Sequence, residues 1–119
     1  MVNCLIVGIG GFIGAMLRYL MGFLPFHDIV FPLHTFLINA IGTFAIGIFA
    51  GMALKYNLSP EIQLFLKTGI CGGFSTLAAV TLESNNLIAE GKWYVAAIYI
   101  FATIAVCLLA THLGEIAVR

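Results

Sequence analysis

An all-α membrane protein with four spanning helices is the fold this chain predicts, and three observations predict it. Of the 119 residues, 62% are hydrophobic and only 8% are charged, against about a quarter charged in a soluble domain. A charged side chain costs roughly 2.5–3.5 kcal/mol at a bilayer centre, so a chain that lives in lipid sheds them. The apolar residues gather into four stretches, each near the ~20 residues that cross ~30 Å of hydrocarbon. The three prolines and most charged residues fall between or near the ends of those stretches.

The first stretch covers about 3–24 and stops at Pro25. It has no positively charged leader and no soluble domain behind it, so it reads as a retained span rather than a signal peptide. A short loop with His27, Asp28 and Pro32 leads to the second stretch, about 33–54, which ends in Lys55-Tyr56-Asn57. Ser59-Pro60-Glu61 then reads as a helix start. Ser59 can cap, proline suits the first helical position, and Glu61 sits at the positive dipole end. The third stretch runs over about 61–89. Glu90-Gly91-Lys92 is a turn, and Trp93-Tyr94 are interfacial anchors for the fourth stretch, about 93–114. The whole chain is one transmembrane domain without internal repeat.

The third stretch is the unusual one, with Gly69, Gly72 and Gly73 at its middle and Ser75-Thr76 after them. Each glycine costs a helix interior roughly 0.5–1 kcal/mol relative to alanine. One reading is close helix packing, because Gly69 and Gly73 have small-xxx-small spacing, as do Gly10 and Gly14, and Gly47 and Gly51. The other is a helix break near 72–76 that bares backbone groups at mid-membrane depth. Such groups persist only where an ion, water or another chain satisfies them.

Formal net charge is zero and there is no basic run, which excludes a nucleic-acid partner. Cys4, Cys71 and Cys107 are an odd count in apolar surroundings, without zinc-ligand spacing, and read as small apolar filler. With both termini on one face, that face carries Lys55, Lys67 and Arg119, and the other carries Lys92 with Arg18 nearby. Three against two is a feeble orientation signal. Such a chain inserts both ways or pairs with a subunit of opposite orientation. Four helices alone scarcely enclose a polar pathway, so an oligomer is expected.

Polar residues within the spans are the candidates for function. Arg18 lies roughly 22 Å along the first helix, where it either snorkels as an anchor or attracts anions. Thr35 and Asn39, four apart, share one face of the second. They serve as helix–helix glue or as a pore lining. Tyr99, Thr103, Cys107 and Thr111 form a mildly polar stripe on the fourth. Its hydroxyls either bond their own helix carbonyls or offer donors to a dehydrated anion. Glu83 follows the break by two helical turns and suits a wet vestibule. No nucleophile–base pair or carboxylate dyad is present, so catalysis is excluded, and no motif for an organic cofactor occurs.

Three patterns then coincide. Gly10-Gly11-Phe12-Ile13-Gly14-Ala15-Met16-Leu17-Arg18-Tyr19 resembles the GGxxGAxxRY opening of the Fluc/CrcB fluoride channels. Thr35-Phe36-Leu37-Ile38-Asn39-Ala40-Ile41-Gly42-Thr43-Phe44 is similar to their TLxVNxxGSF stretch. Gly69-Ile70-Cys71-Gly72-Gly73-Phe74-Ser75-Thr76 resembles GFCGGxTT, with Glu83 at the family's acidic position. The resemblance spans nearly the whole chain, in order. It implies an antiparallel, dual-topology dimer of four-helix subunits, each with a broken third helix, in the plasma (inner) membrane. It implies passive export of fluoride. It also implies a structural Na⁺ at the dimer centre, held by main-chain carbonyls that by position belong to Gly72 and Ser75. Thr35, Asn39, Ser75, Thr76, Tyr99 and Thr103 would line the anion path.

The chain departs from the family at Leu77 and Val80, where the family has two phenylalanines whose ring edges meet fluoride. An aromatic edge carries partial positive charge; Leu and Val do not. The departure suggests the divergent member of a heterodimer whose homologous partner supplies the aromatics, with the homodimer as the simpler alternative. Two other functions compete. A small multidrug-resistance-type exporter is similar in size but needs a carboxylate in its first span, and 3–24 holds none. A non-conducting structural subunit is the other.

Overall fold

The computed structural model describes residues 1–23 and 31–118. Leu24, Pro25, His27, Asp28 and Arg119, each used in the sequence reading, lie outside the described residues. Among the described residues, four helices are long and apolar enough to cross a bilayer: Val2–Met21, Leu33–Tyr56, Pro60–Ala89 and Trp93–Val118. The second and fourth run further than their apolar stretches suggest, to Tyr56 and Val118. Lys55 Nζ donates to Val118 O at 2.9 Å, tying the two ends together. Asn57, in the left-handed conformation, stops the second helix. Ser59 accepts from Ile62 N–H and Pro60 occupies the first position of the third.

Glycines decide how the helices pair. The first packs along the N-terminal half of the third, and the second along the fourth. A methyl group on Gly10 would lie 2.7 Å from Phe65 O and 2.9 Å from the Cα of Gly69. One on Gly73 would lie 2.6 Å from Gly11 O. These backbones touch, which only hydrogen in place of a side chain permits. Gly114 likewise admits the carbonyl of Phe44 between the fourth and second helices.

The third helix is not uniform. It opens as a regular turn, Pro60–Gln63, widens into π-type turns over Leu64–Cys71, and is α-helical over Gly72–Phe74. Ser75 and Thr76 are extended, after which Leu77–Ala89 is helical again. Gly72 is itself helical, with φ −64° and ψ −38°. Gly69 and Gly73 are thus packing residues, Gly72 is exposed with room for a methyl group, and the interruption falls on the two residues after Phe74.

Polarity is arranged inside out. Phe12, Leu77, Phe101 and Leu108 are exposed, whereas Thr35, Asn39, Ser84 and Thr103 are buried and Tyr99 is wholly so. This is the distribution expected where the surroundings are hydrocarbon.

Candidate functional site

The break is the centre of the site, and hydrogen bonds from outside the third helix hold it. Ser75 (φ −85°, ψ 148°) and Thr76 (φ −148°, ψ 124°) are both extended. Thr76 N–H donates to Asn39 Oδ1 at 2.8 Å, and Asn39 Nδ2 donates to Thr76 O at 3.2 Å. Thr76 Oγ1 accepts from Ala79 N–H at 3.3 Å and so caps the helix that follows. Its O–H proton is not spent in that bond and stays available as a donor.

These bonds divert two helical donors. In a continuous α-helix, N–H of residue i bonds the carbonyl of i−4. Thr76 N–H would serve Gly72, and Ala79 N–H would serve Ser75. The first goes to Asn39 and the second to the Thr76 hydroxyl. The carbonyls of Gly72 and Ser75 are therefore released from the helix. Bare carbonyl oxygens are hard ligands suited to an alkali cation, so these two positions fit the ion the family resemblance implies.

An open groove of about 300 Å³ runs past the break, lined by Asn39, Thr43, Ser75, Thr76, Leu77, Val80, Thr103, Ile104 and Cys107. It takes in six of the candidate positions. Ser75 Oγ seats against Gly42, where any side chain would displace it. Leu77 is 75% exposed and Val80 is 4% exposed, so the two positions lacking aromatics are unlike in surroundings. The Leu77–Ala89 helix begins here, so its positive end faces the groove.

Thr35, Glu83 and Tyr99 form a second cluster. Thr35 Oγ1 donates to a Glu83 carboxylate oxygen. The Tyr99 hydroxyl lies beside that pair, without a hydrogen bond of normal geometry among the described residues. Ser84 Oγ and Thr103 Oγ1 are also buried and have no partner among the described residues. Buried hydroxyls without partners are uncommon, and those of Ser84 and Thr103 keep their protons for an acceptor. Thr43 and Thr111 differ, since both donate to carbonyls of their own helix. The Phe31 ring meets Tyr99 edge-on, with centroids 5.2 Å apart. Arg18, in the last turn of the first helix, does not line the groove, and its buried Nε has no partner among the described residues.

Sequence reasoning missed Ser84 and Phe31. Ser84 sits in the polar run Glu83-Ser84-Asn85-Asn86 with nothing to mark it as the buried member. Phe31 precedes a proline in what reads as a loop.

The family described as CrcB-like protein, Camphor Resistance (CrcB), matches residues 5–115. The chain is 38% identical over 119 residues to the fluoride-specific ion channel FluC of Chlorobium chlorochromatii strain CaD3, covering 98% of this chain and 92% of the relative. The FluC of Chlorobaculum tepidum is 41% identical over 107 residues, covering 88% and 85%. That of Rhizobium etli strain CFN 42 is 38% identical over 117 residues, covering 96% and 94%.

Proposed function

The chain belongs to the CrcB-like family, and from that membership we propose that it is a subunit of a fluoride-selective channel. It is a multi-pass membrane protein, and its family is one of ion channels rather than enzymes. The observation that carries the reading is the interrupted third helix, which opens onto a groove lined by Asn39, Ser75, Thr76 and Thr103. Fluoride leaving water needs donors in place of its hydration shell. The Thr76 and Thr103 hydroxyls, the spare carboxamide N–H of Asn39 and the start of the Leu77–Ala89 helix supply them. Thr35, Glu83 and Tyr99 continue the polar path away from the break. Among the described residues no Lys or Arg lines the groove, so the anion is held weakly enough to leave. Transport is passive, driven outward by about 2.3 kcal/mol per charge per 100 mV of inside-negative potential.

In this reading two subunits pair in opposite orientations. The freed carbonyls of Gly72 and Ser75 from each would hold a structural Na⁺ between them. Such an ion would supply positive charge near the anion path and so offset part of fluoride's desolvation. Leu77 and Val80 favour a homologous partner that brings the aromatic edges missing here. The test is fluoride efflux from liposomes holding this chain alone, or together with a phenylalanine-bearing homologue. Efflux is expected to be slow in the first and fast and chloride-excluding in the second. Fast efflux from the single chain removes the need for a partner, and no fluoride efflux in either preparation overturns the channel reading.

Leu77 and Val80 also favour a second reading, a subunit that only assembles its partner. Adding Leu77→Phe to this chain within the mixed channel separates the two. An increase in flux assigns a conducting path to this subunit, and unchanged flux leaves it a scaffold.

A further inference from the structure

We propose that Asn39 is the positioning residue that sets the break in the third helix, by pairing its side-chain carboxamide with both backbone groups of Thr76. Breaks of this kind are usually credited to glycine. Here Gly72 has ordinary helical dihedrals, and Gly91 is the one glycine with positive φ among the described residues. The cluster at 69–73 thus exploits none of glycine's special conformations, and the cause lies elsewhere.

Geometry identifies it. In a helix a residue's N–H and C=O point in opposite directions along the axis. In an extended residue they point to the same side, which is how paired strands exchange two hydrogen bonds residue to residue. Thr76 is extended, and the Asn39 carboxamide fills the place of the opposing strand, accepting at Oδ1 and donating from Nδ2. Both bonds can form only when Thr76 leaves the helix. Asn39 therefore discriminates between the two conformations, which is what any group must do to shift such an equilibrium. Burial sharpens the effect, because Asn39 is 6% exposed and has little water to turn to.

The same two bonds take Thr76 N–H away from Gly72, so Asn39 controls whether the Gly72 carbonyl is bare. It also lines the groove. One side chain on the second helix thus links the groove to the freed carbonyl of Gly72. The inference concerns backbone conformation and stands apart from which ion the channel conducts.

The test uses the full chain in lipid nanodiscs, with the ¹³Cα and ¹³Cβ shifts of Ser75 and Thr76 as the readout. Wild type is expected to give extended values. Asn39→Leu, close in size and unable to hydrogen-bond, should move both residues toward helical values. Losing two hydrogen bonds changes the extended-to-helical ratio by roughly 10- to 100-fold. Extended shifts that persist in folded Asn39→Leu overturn the proposal. Asn39→Asp covers the case in which the leucine variant does not fold. A protonated Asp can both accept and donate, whereas an ionised one only accepts and repels the Thr76 carbonyl. Extended values at acid pH that are lost on ionisation support the clamp, and shifts that ignore the ionisation overturn it. Neither variant is read by fluoride flux, so this result and the channel reading can fail separately.

Discussion

Leu77 and Val80 stand three apart and replace the same kind of residue, yet they offer different room. Leu77 is 75% exposed and Val80 is 4% exposed. Leu77→Phe should leave thermal unfolding in detergent within about 0.5 kcal/mol of wild type, as surface changes do. Val80→Phe must push its neighbours aside and should cost about 1–3 kcal/mol. Equal effects from the two would mean that the groove closes differently from the arrangement described here. At this scale the sequence was partly legible. Spacing alone places Thr35 and Asn39 on one helix face, and their burial follows from their polarity in an apolar span. What each one touches was not legible. Thr35 meets Glu83 from 48 positions away, and Asn39 meets a backbone rather than a side chain. No periodicity encodes either contact.

Among the elements, the third helix departs most from a simple span, and two causes that the sequence runs together separate in space. Small residues at 10, 11, 69 and 73 bring the first and third helices into backbone contact. The break itself comes two residues after Gly73, with Asn39 as its partner. A sequence shows the glycines clearly and shows a remote hydrogen-bond partner not at all, which is why the glycines attract the credit. A comparison of two alanine substitutions measures the packing part. Gly73→Ala places a methyl 2.6 Å from Gly11 O, where only backbone could yield. A destabilisation of about 1–3 kcal/mol is expected, read as a fall in the detergent melting temperature. Gly8→Ala, on the first helix with nothing within 4 Å, should be neutral or stabilise by up to ~1 kcal/mol. Were both tolerated equally, helix contact at Gly11–Gly73 would be too loose to matter.

For the molecule as a whole, four apolar stretches made the all-helical membrane fold readable before any coordinates. Length and hydropathy suffice there, because lipid permits so few backbone solutions. Pairing between helices was not readable, since every apolar face looks alike in a chain meant for hydrocarbon. Charge carries the remaining prediction. With zero net charge and the basic residues expected from the sequence to split three to two between faces, neither orientation is expected to be favoured strongly. Cys4, exposed in the first turn of the first helix, reports on it, whereas Cys71 is buried. A membrane-impermeant maleimide applied to intact cells should label only part of the Cys4 population, the rest reacting after permeabilisation. Labelling that is complete or absent before permeabilisation would mean a single orientation.

The clamp between Asn39 and Thr76 also bears on how the chain is born. Its third span has the lowest mean hydropathy of the four, 1.3, and peptide groups left unsatisfied in hydrocarbon cost several kcal/mol each. On its own in lipid that segment is cheaper as one unbroken rod. Synthesis delivers the second span first, so the carboxamide is already in the bilayer when the third arrives. Bending at Ser75–Thr76 then belongs to the docking of one span on its elder neighbour, after the ribosome's part in placing it is done.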